Sequence, residues 1–307
     1  MSRFVNTIPI RAGWFLRWRG VCYAHAMNID VASQRILLLR DQITPEDAKD
    51  KAWQKKVSAF DAFSKVASFL SKPKDEDFTL VYSEHRYEPF WHVTAKARYE
   101  YTRTATYAIP VSAKEVKTVT VHDIKYEAQD GKIRVPVLEY CLQEEFDVNL
   151  IDGITGKSTP DLEKYLSMKP HEVTGQLKDD VDADAILIPP QARVSAIMRD
   201  SLSKMIKGIQ ADTILAEQVE VTRVDLYYRP VYAFKYSWIS KQKEAILEVD
   251  GLTGDIRPGS RVFSEYLGKV LDQNFLFDIG ADAVGMFVPG GSIAVKAAKR
   301  YMDTRKT

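Results

Sequence analysis

The segment Glu244–Ile256 reads Glu-Ala-Ile-Leu-Glu-Val-Asp-Gly-Leu-Thr-Gly-Asp-Ile and holds the signals that decide the fold. Apolar and polar residues alternate up to Asp250, which is the pattern of a half-buried strand. Asp250-Gly251 is a strong tight-turn signal, because an aspartate carboxylate accepts hydrogen bonds from backbone amides that follow it. We expect Gly254 in the left-handed conformation that closes the loop. The segment therefore predicts a strand that ends in a tight turn.

The same pattern occurs earlier, at Phe146–Lys157, which reads Phe-Asp-Val-Asn-Leu-Ile-Asp-Gly-Ile-Thr-Gly-Lys. The strands before the turns also match, since Tyr87–Val93 aligns with Tyr228–Phe234 at an offset of 141 residues. The turns align at an offset of 98, so the first copy contains 43 additional residues. An ordered repeat of this kind predicts a duplicated architecture. The residues expected to build the two structural turns are Asp152, Gly153, Gly156, Asp250, Gly251 and Gly254.

Each copy begins with a predicted helix. Thr44-Pro45-Glu46-Asp47 supplies an N-cap, a proline at the first helical position and acids at the positive end of the helix dipole. Pro189-Pro190 precedes a second helix at about 191–208. The sequence predicts an α+β fold of two tandem helix-plus-antiparallel-sheet modules, with an aromatic N-terminal segment and a helical C-terminal tail. The expected divisions are an N-terminal segment 1–43, a first module 44–176 with an insertion at about 103–145, a linker 177–189, a second module 190–260 and the tail 261–307.

This plan of a helix, Tyr-x-Val-type strands and a strand ending in Val-Asp-x-x-Thr-Gly resembles the PepSY domain. The resemblance is best over 191–256 and weaker over 44–156, and its most specific element is Val249–Gly254. PepSY domains are small α+β modules, often outside the cytoplasm, that look like regulatory or inhibitory binding domains. The chain differs from the family pattern by its insertion and by the lack of a recognisable signal sequence. The resemblance implies a binding or regulatory role.

Composition and charge bound the environment of the protein. The 307 residues include 43 basic and 42 acidic side chains, so the net charge of +1 predicts neither nucleic acid nor an anionic membrane as an obligate partner. The cysteines are only Cys22 and Cys141, which is compatible with a reducing compartment. No signal peptide or apolar stretch of about 20 residues is recognisable. We therefore expect a cytoplasmic protein of a bacterium-like cell, with membrane association as an alternative.

Motifs that would indicate bound ligands are incomplete. Gly156-Lys157-Ser158 imitates the end of a phosphate-binding loop, but Ile151 stands where that motif requires a glycine. Asp250 and Asp255 are too few carboxylates for a calcium loop. Structural turns are therefore the preferred interpretation of both loops, and we predict no cofactor.

A zinc site or a nucleophile is also not indicated. Cys22 and His25 have a spacing that metal sites use, but no second closely spaced pair follows, and buried thiols with scattered histidines explain the pattern. No Gly-x-Ser-x-Gly motif is present. We predict no metal and no catalytic residue, while an enzyme whose site has no linear motif remains a further alternative. A zinc site at Cys22 and His25 would need further ligands from His85, His92, His122 or Cys141.

The aromatic strands and the two termini are the remaining candidate surfaces. Tyr87, Trp91, Tyr228 and Tyr232 are expected to pack in the core, or alternatively to bind a partner. Proline cannot donate to a sheet ladder, so Pro89 and Pro230 predict a strand start or an edge, where a partner peptide can add. Basic and aromatic residues near the termini predict contact with an anionic surface. They are Arg11, Trp14, Arg17, Trp18, Arg19, Lys296, Lys299 and Arg300.

The function predicted from these observations is a non-catalytic binding or regulatory protein that presents sheet edges to a partner protein. The alternative is a peripheral component attached to a membrane or an assembly through its termini.

Overall fold

A computed structural model describes residues 27–60, 73–259 and 293–297, and the described chain is mostly β-strand. Ten strands form one mixed sheet, and β4 and β5 form a separate hairpin. The strands are β1 (Met27–Val31), β2 (Gln34–Leu38), β3 (Phe78–Pro110), β4 (Thr118–Val121), β5 (Ile124–Glu127), β6 (Lys132–Asp152), β7 (His171–Glu172), β8 (Ile186–Leu187), β9 (Thr213–Trp238), β10 (Lys243–Asp250), β11 (Ile256–Gly259) and β12 (Ile293–Ala297). The α-helices of this part are α1 (Pro45–Lys55) and α2 (Val194–Met205), and 3-10 helices span Lys56–Phe60, Asp75–Asp77, Pro160–Ser167, Leu177–Asp180 and Ile239–Lys241.

The centre of the sheet is the antiparallel pair of the two longest strands, β3 and β9. They are paired from Phe78 opposite Trp238 to Thr102 opposite Thr213, with three register shifts. The other edge of β9 is occupied in succession by β10, β2 and β1, and the other edge of β3 by β8 and then β6. Beyond Thr102, β3 continues with β6 alone as a projecting two-stranded ribbon, which we define as residues 103–139.

The two halves of the repeat are related by an approximate two-fold axis within this central pair. Glu88 lies opposite Arg229 in the ladder, and Arg229 is also the repeat equivalent of Glu88 at the offset of 141 residues. The adjacent hairpins obey the same relation, because Phe90 pairs with Asp152 and Val231 pairs with Asp250. When a residue pairs with its own equivalent in the other copy, the two-fold axis that relates the copies passes between the two residues. The repeat is therefore folded into one sheet.

The N-terminal part of each half packs on the other half. β2 runs parallel to β9, and β8 runs parallel to β3. The backbone amide of Gln42, just before α1, donates to the carbonyl of Gly251 at 2.8 Å, and that of Gln191, before α2, donates to Gly153 at 2.7 Å. Each helix thus begins on the turn of the opposite copy, so the halves are interleaved.

The predicted fold class is wrong. The chain is not an α+β protein of two tandem modules with a helical tail, but a mostly β protein built on one large sheet. The reason is that β3 and β9 pair with each other along most of their length, which the period-two pattern of either strand alone does not reveal. The predicted helical tail is contradicted where it is described, because Ile293–Ala297 is a strand parallel to β1. The predicted linker includes β8, whose residues are buried.

The prolines expected at a strand start or an edge lie inside the long strands. The carbonyl of Pro89 accepts from the amide of Gly153 at 2.9 Å, and that of Pro230 accepts from Gly251 at 3.0 Å. Each proline therefore turns its backbone groups away from the central pair. Each outer edge has a gap between two partner strands at the proline, since β8 pairs with β3 only as far as Tyr87 and β6 pairs with it only from Phe90. The proline nitrogen, which has no hydrogen to donate, therefore faces a gap between two partner strands.

Both α-helices cover the same side of the sheet, which we call the helix face. Thr44 caps α1 as predicted, with its hydroxyl accepting from the amide of Asp47 at 3.1 Å. Apolar residues of α2 recur at the expected helical spacing and are buried on the sheet. On the opposite face, the 3-10 helix Pro160–Ser167 packs against Phe90 and Tyr227. No helix in the described residues is long and apolar enough to cross a membrane.

Candidate functional site

The residues predicted to form structural turns share one hydrogen-bond pattern in the two copies. The carboxylates of Asp152 and Asp250 each accept from the backbone amides two and three residues later, at 2.7–3.1 Å. Gly156 and Gly254 have φ angles of +70° and +73°, the left-handed conformation expected for Gly254. Gly153 and Gly251 contact the strand prolines, as described above. These polar groups are used to close the turns.

The four aromatic residues considered for partner binding are in the core. Tyr87, Trp91, Tyr228 and Tyr232 are each at most 4% exposed. The indole nitrogen of Trp91 donates to the carbonyl of Ala192 at 2.9 Å, which ties β3 to the segment before α2. Buried side chains present no surface to a partner, so core packing, the first of the two interpretations, accounts for them.

The residues considered for surface attachment fall almost entirely outside the described part of the chain. This applies to all five N-terminal residues, Arg11, Trp14, Arg17, Trp18 and Arg19, and to Lys299 and Arg300. The backbone of Lys296 belongs to β12, opposite Asp30 of β1. Attachment through the termini therefore remains a prediction.

A cluster of buried charges surrounds the two-fold axis on the face opposite the helices. Its centre is Arg86, whose guanidinium contacts the carboxylates of Glu84 at 2.6 Å, Glu88 at 2.7 Å and Glu248 at 2.6 Å. Arg86 is 1% exposed. A buried charge requires partners that replace water, and here three carboxylates supply them.

Arg229 completes this cluster from the other copy. Its guanidinium lies 2.5 Å from Glu88, 3.4 Å from Asp250 and 3.2 Å from the hydroxyl of Tyr165, which itself donates to Asp250. Burial raises the pKa of Glu88, but the charges of Arg229, Arg86 and Arg257 lower it more, so that the pKa lies below its usual value. The carboxylate is ionised and fully engaged. The cluster therefore joins the two copies through ion pairs.

A second polar group joins the segment before α1 to both long strands. The Nε2 atom of His85 lies 3.2 Å from Asp41, and the hydroxyl of Tyr87 donates to the same carboxylate at 2.9 Å. The imidazole stacks on Tyr232 with ring centres 4.5 Å apart. Burial raises the pKa of Asp41, while the contacts with His85 and the tyrosines lower it below its usual value. Histidine beside aspartate is the geometry of an acid–base pair, but the hydrogen bonds described here include no serine or cysteine nucleophile.

Metal ligands do not converge in the described residues. No group of three histidine, cysteine or acidic side chains in residues 27–60 and 73–259 is placed to hold a metal ion. Of the two cysteines only Cys141 is described, as a free thiol on β6.

The most distinctive surface is one side of β6, which faces away from α2. Five large apolar side chains at every second or fourth position are exposed to solvent there. They are Leu138 (54% exposed), Tyr140 (77%), Leu142 (58%), Phe146 (73%) and Val148 (62%), and we call them the β6 row. Glu144 interrupts the row. Soluble proteins rarely align so many exposed apolar side chains unless they bind something.

The same strand also has an open backbone edge. Neighbouring residues of a strand direct their backbone groups to opposite edges. The amide of Gly153 donates to the carbonyl of Pro89, so the backbone N–H and C=O groups of odd-numbered β3 residues are directed toward β6, opposite odd-numbered residues of that strand. The backbone groups of even-numbered β6 residues are therefore directed to the outer edge. On that edge the carbonyl of Leu150 accepts from the amide of Thr159 at 2.9 Å. From 138 to 148 the described chain provides no further strand on this edge.

The helix side of β6 is polar and acidic. Glu145 contacts Lys207 at 2.6 Å, and Asp147 lies 3.6 Å from Lys204. Lys204 is in the last turn of α2, and Lys207 follows the helix. Asn149 donates to the hydroxyl of Ser201 at 2.8 Å. The pKa of Glu145 is lowered by its hydrogen bond with Lys207. Along β6, then, polar residues face the helix and apolar residues face solvent.

Comparisons with known proteins return no match, whether with family models, with curated proteins or with solved structures. The PepSY resemblance therefore stays a prediction, and function must be inferred from the geometry alone.

Sequence reasoning missed both the β6 row and the buried charges. The signal for the row was present, because apolar residues occupy alternate positions from Leu138 to Val148 with one interruption. The signal for the charge cluster was the pair Glu88-Pro89 and Arg229-Pro230, where opposite charges occupy equivalent positions of the repeat. Neither signal shows by itself which face of the strand is buried.

Proposed function

We propose that this protein is a non-catalytic binding protein and that a partner protein binds along β6. The observation that carries the proposal is the β6 row, five large apolar side chains exposed on one face of one strand. Burying each such side chain contributes about 1.5–3 kcal/mol. Five of them are sufficient to offset an association cost of roughly 4–15 kcal/mol when the partner adds contacts of its own.

The position of the row also supports binding. It lies on the outermost strand of this end of the sheet, so a partner can approach without displacing any described element. None of its residues belongs to a buried core cluster of the described chain. An apolar row that does not stabilise the fold is best explained by binding.

The test uses the full chain, immobilised, with variants that remove the row. We expect Tyr140→Thr/Phe146→Thr to lose a protein that the wild type captures from the native cell, because threonine keeps the strand preference but not the apolar area. Ile239→Thr is the matched control, since Ile239 is 57% exposed and lies outside the row. The captured protein is then purified and its affinity for the three chains is measured.

Equal affinity of the purified partner for the wild type and the double variant would overturn the proposal. Binding of the wild type, but not the double variant, to neutral phosphatidylcholine vesicles without any protein partner would also overturn it, since the row would then be a membrane contact.

A further inference from the structure

We infer that the partner binds as an extended segment that adds to the open edge of β6 between Leu138 and Val148. Its alternate side chains are apolar on the side of the β6 row and basic on the helix side. The inference rests on the proposed function and adds to it the mode of binding and the chemistry of the partner.

The edge offers a defined length of unpaired backbone. Even-numbered residues from 138 to 148 point their amide and carbonyl groups outward, as shown above from the bonds of Gly153 and Thr159. Pro136 is also even-numbered and therefore lacks an outward donor, which closes the edge on the side of the ribbon. A strand that pairs with this edge recovers hydrogen bonds that a purely apolar contact would leave to water.

The chain already uses the same edge at its other end. The amide of Asp152 donates to the carbonyl of Lys157, and the amide of Thr159 donates to Leu150, both at 2.9 Å. Ile151 and Ser158 thereby form an isolated antiparallel bridge. Pro160 begins a 3-10 helix, and the segment leaves the edge. The outer side of β6 is therefore competent for strand pairing, and its part from Leu138 to Val148 is vacant in the described chain.

The charges of β6 define the complementary partner. Residues 135–149 contain four acids and no lysine or arginine. Three of the acids, Glu139, Glu145 and Asp147, lie on the helix side, where side chains of an added strand would stand beside them. These acids already pair with Arg103, Lys207 and Lys204 of other elements, so basic residues of an added strand would extend the ion pairs. Apolar residues at the alternating positions would cover the row.

The same charges disfavour a second copy of this chain as the added strand. Pairing of β6 with β6 around a two-fold axis would bring four acids from each copy onto one ladder without a base between residues 135 and 149. Like charges on adjacent strands are destabilising. A different protein with alternating apolar and basic residues fits better.

The test titrates full-length protein into a fluorescent, end-blocked peptide of nine residues that alternates valine and lysine. We expect it to bind about tenfold or more tightly than the valine–glutamate peptide of the same length. A valine–lysine peptide with N-methyl groups on alternate amides is the control for backbone pairing, because it keeps every side chain. We expect it to bind at least about tenfold more weakly than the unmodified peptide.

A pair of protein variants tests the edge from the other side. Glu144→Pro removes one outward amide, as Pro136 does naturally, while Glu144→Ala removes the same carboxylate and keeps the amide. We expect Glu144→Pro to weaken binding by about tenfold relative to Glu144→Ala. Thermal unfolding of both variants confirms that they fold, and if Glu144→Pro does not, the N-methylated peptide decides.

The outcomes separate this inference from the proposed function. If Glu144→Pro and the N-methylated peptide bind as well as their controls while Tyr140→Thr/Phe146→Thr still abolishes binding, strand addition is wrong and the row remains a binding surface. If Glu144→Pro, the N-methylated peptide and Tyr140→Thr/Phe146→Thr all leave binding unchanged, both strand addition and the proposed function are wrong. If the protein alone sediments as a dimer that Glu144→Pro dissociates, the added strand is a second copy and the assignment of the partner is overturned.

Discussion

The hairpins β3–β6 and β9–β10 are alike at one end and differ at the other. In each, the second strand runs into the Asp-Gly-x-Thr-Gly turn, with Asp152 opposite Phe90 and Asp250 opposite Val231. β10 is eight residues long and its outer edge is covered by β11. β6 is 21 residues long and runs past the sheet into the projecting ribbon.

The polarity of the two strands differs over part of their length. Leu247 of β10 faces α1 and is fully buried, whereas its equivalent at the offset of 98 residues is the polar Asn149. Val249 and its equivalent Ile151 are both apolar and pack on the helix face. Phe146 of β6 faces solvent, and its equivalent in β10 is Glu244. A strand that only served the fold would keep its apolar side under the helix. The copies are alike where they build the core and differ where one of them exposes a surface.

The largest effect is expected from breaking the charge cluster that both hairpins share. Glu88→Ala leaves Arg86 and Arg229 buried without their common carboxylate, so we expect a loss of about 3–5 kcal/mol in the free energy of unfolding. Glu100→Ala on the same strand is the control, because Glu100 is a surface partner of Arg98 and should cost within about 0.5 kcal/mol. Urea unfolding measures both. A cost for Glu88→Ala no larger than for Glu100→Ala would show that the cluster does not hold the copies together.

Acid should weaken the same cluster. The pKa of Glu88 is below its usual value in the folded chain, so its contribution to stability is complete above the unfolded-state pKa, about 4.3, and is lost as the pH falls through the folded-state pKa. We expect the unfolding free energy of the wild type to fall more steeply than that of Glu88→Gln below about pH 4. Urea titrations at a series of pH values measure it, and parallel curves would contradict it.

An intermediate effect is expected at the turns, where the copies look alike. A Cβ atom at Gly153 would lie 2.5 Å from the carbonyl oxygen of Pro89, which is backbone in the central pair. At Gly251 the nearest atoms would be a carboxylate oxygen of Asp41 and the Cβ and Cγ atoms of Pro230, all at 2.9 Å, so the overlap is smaller than at Gly153. We expect each change to alanine to cost about 1–3 kcal/mol, with Gly153→Ala the larger. Thermal or urea unfolding gives the order, and the reverse order would mean that the second turn is the more rigid.

The smallest effect on stability is expected from removing what only one hairpin has. Replacing residues 106–136 by Asn-Gly joins Ala105 to Val137, a hydrogen-bonded pair, through a two-residue turn. We expect the unfolding free energy to change by about 1 kcal/mol or less, because the ribbon lies beyond the sheet. The β6 row from Tyr140 onward remains, so binding of the partner should persist. A large loss of stability would show that the ribbon is part of the folding unit.

The local features of this protein were readable from its sequence. The turns, the left-handed Gly254, the cap at Thr44 and the buried stripe of α2 all depend on residues within a few positions of one another. Hydrogen bonds and steric limits within a turn or a helix act over that distance, so the same residues have the same effect in any fold. The repeat was visible for the same reason, because it consists of these local signals in a fixed order.

The tertiary structure alone decided which strands pair and which side of a strand is buried. An alternating pattern in β3 or β9 is compatible with any partner strand in register. The pairing of Glu88 with Arg229 follows only from the arrangement of the two copies in one sheet. Alternation in β6 likewise leaves two faces to choose from, and the position of α2 against Asn149 determines that Phe146 points to solvent. Period two specifies that the faces differ, while the neighbours of the strand specify which face is covered.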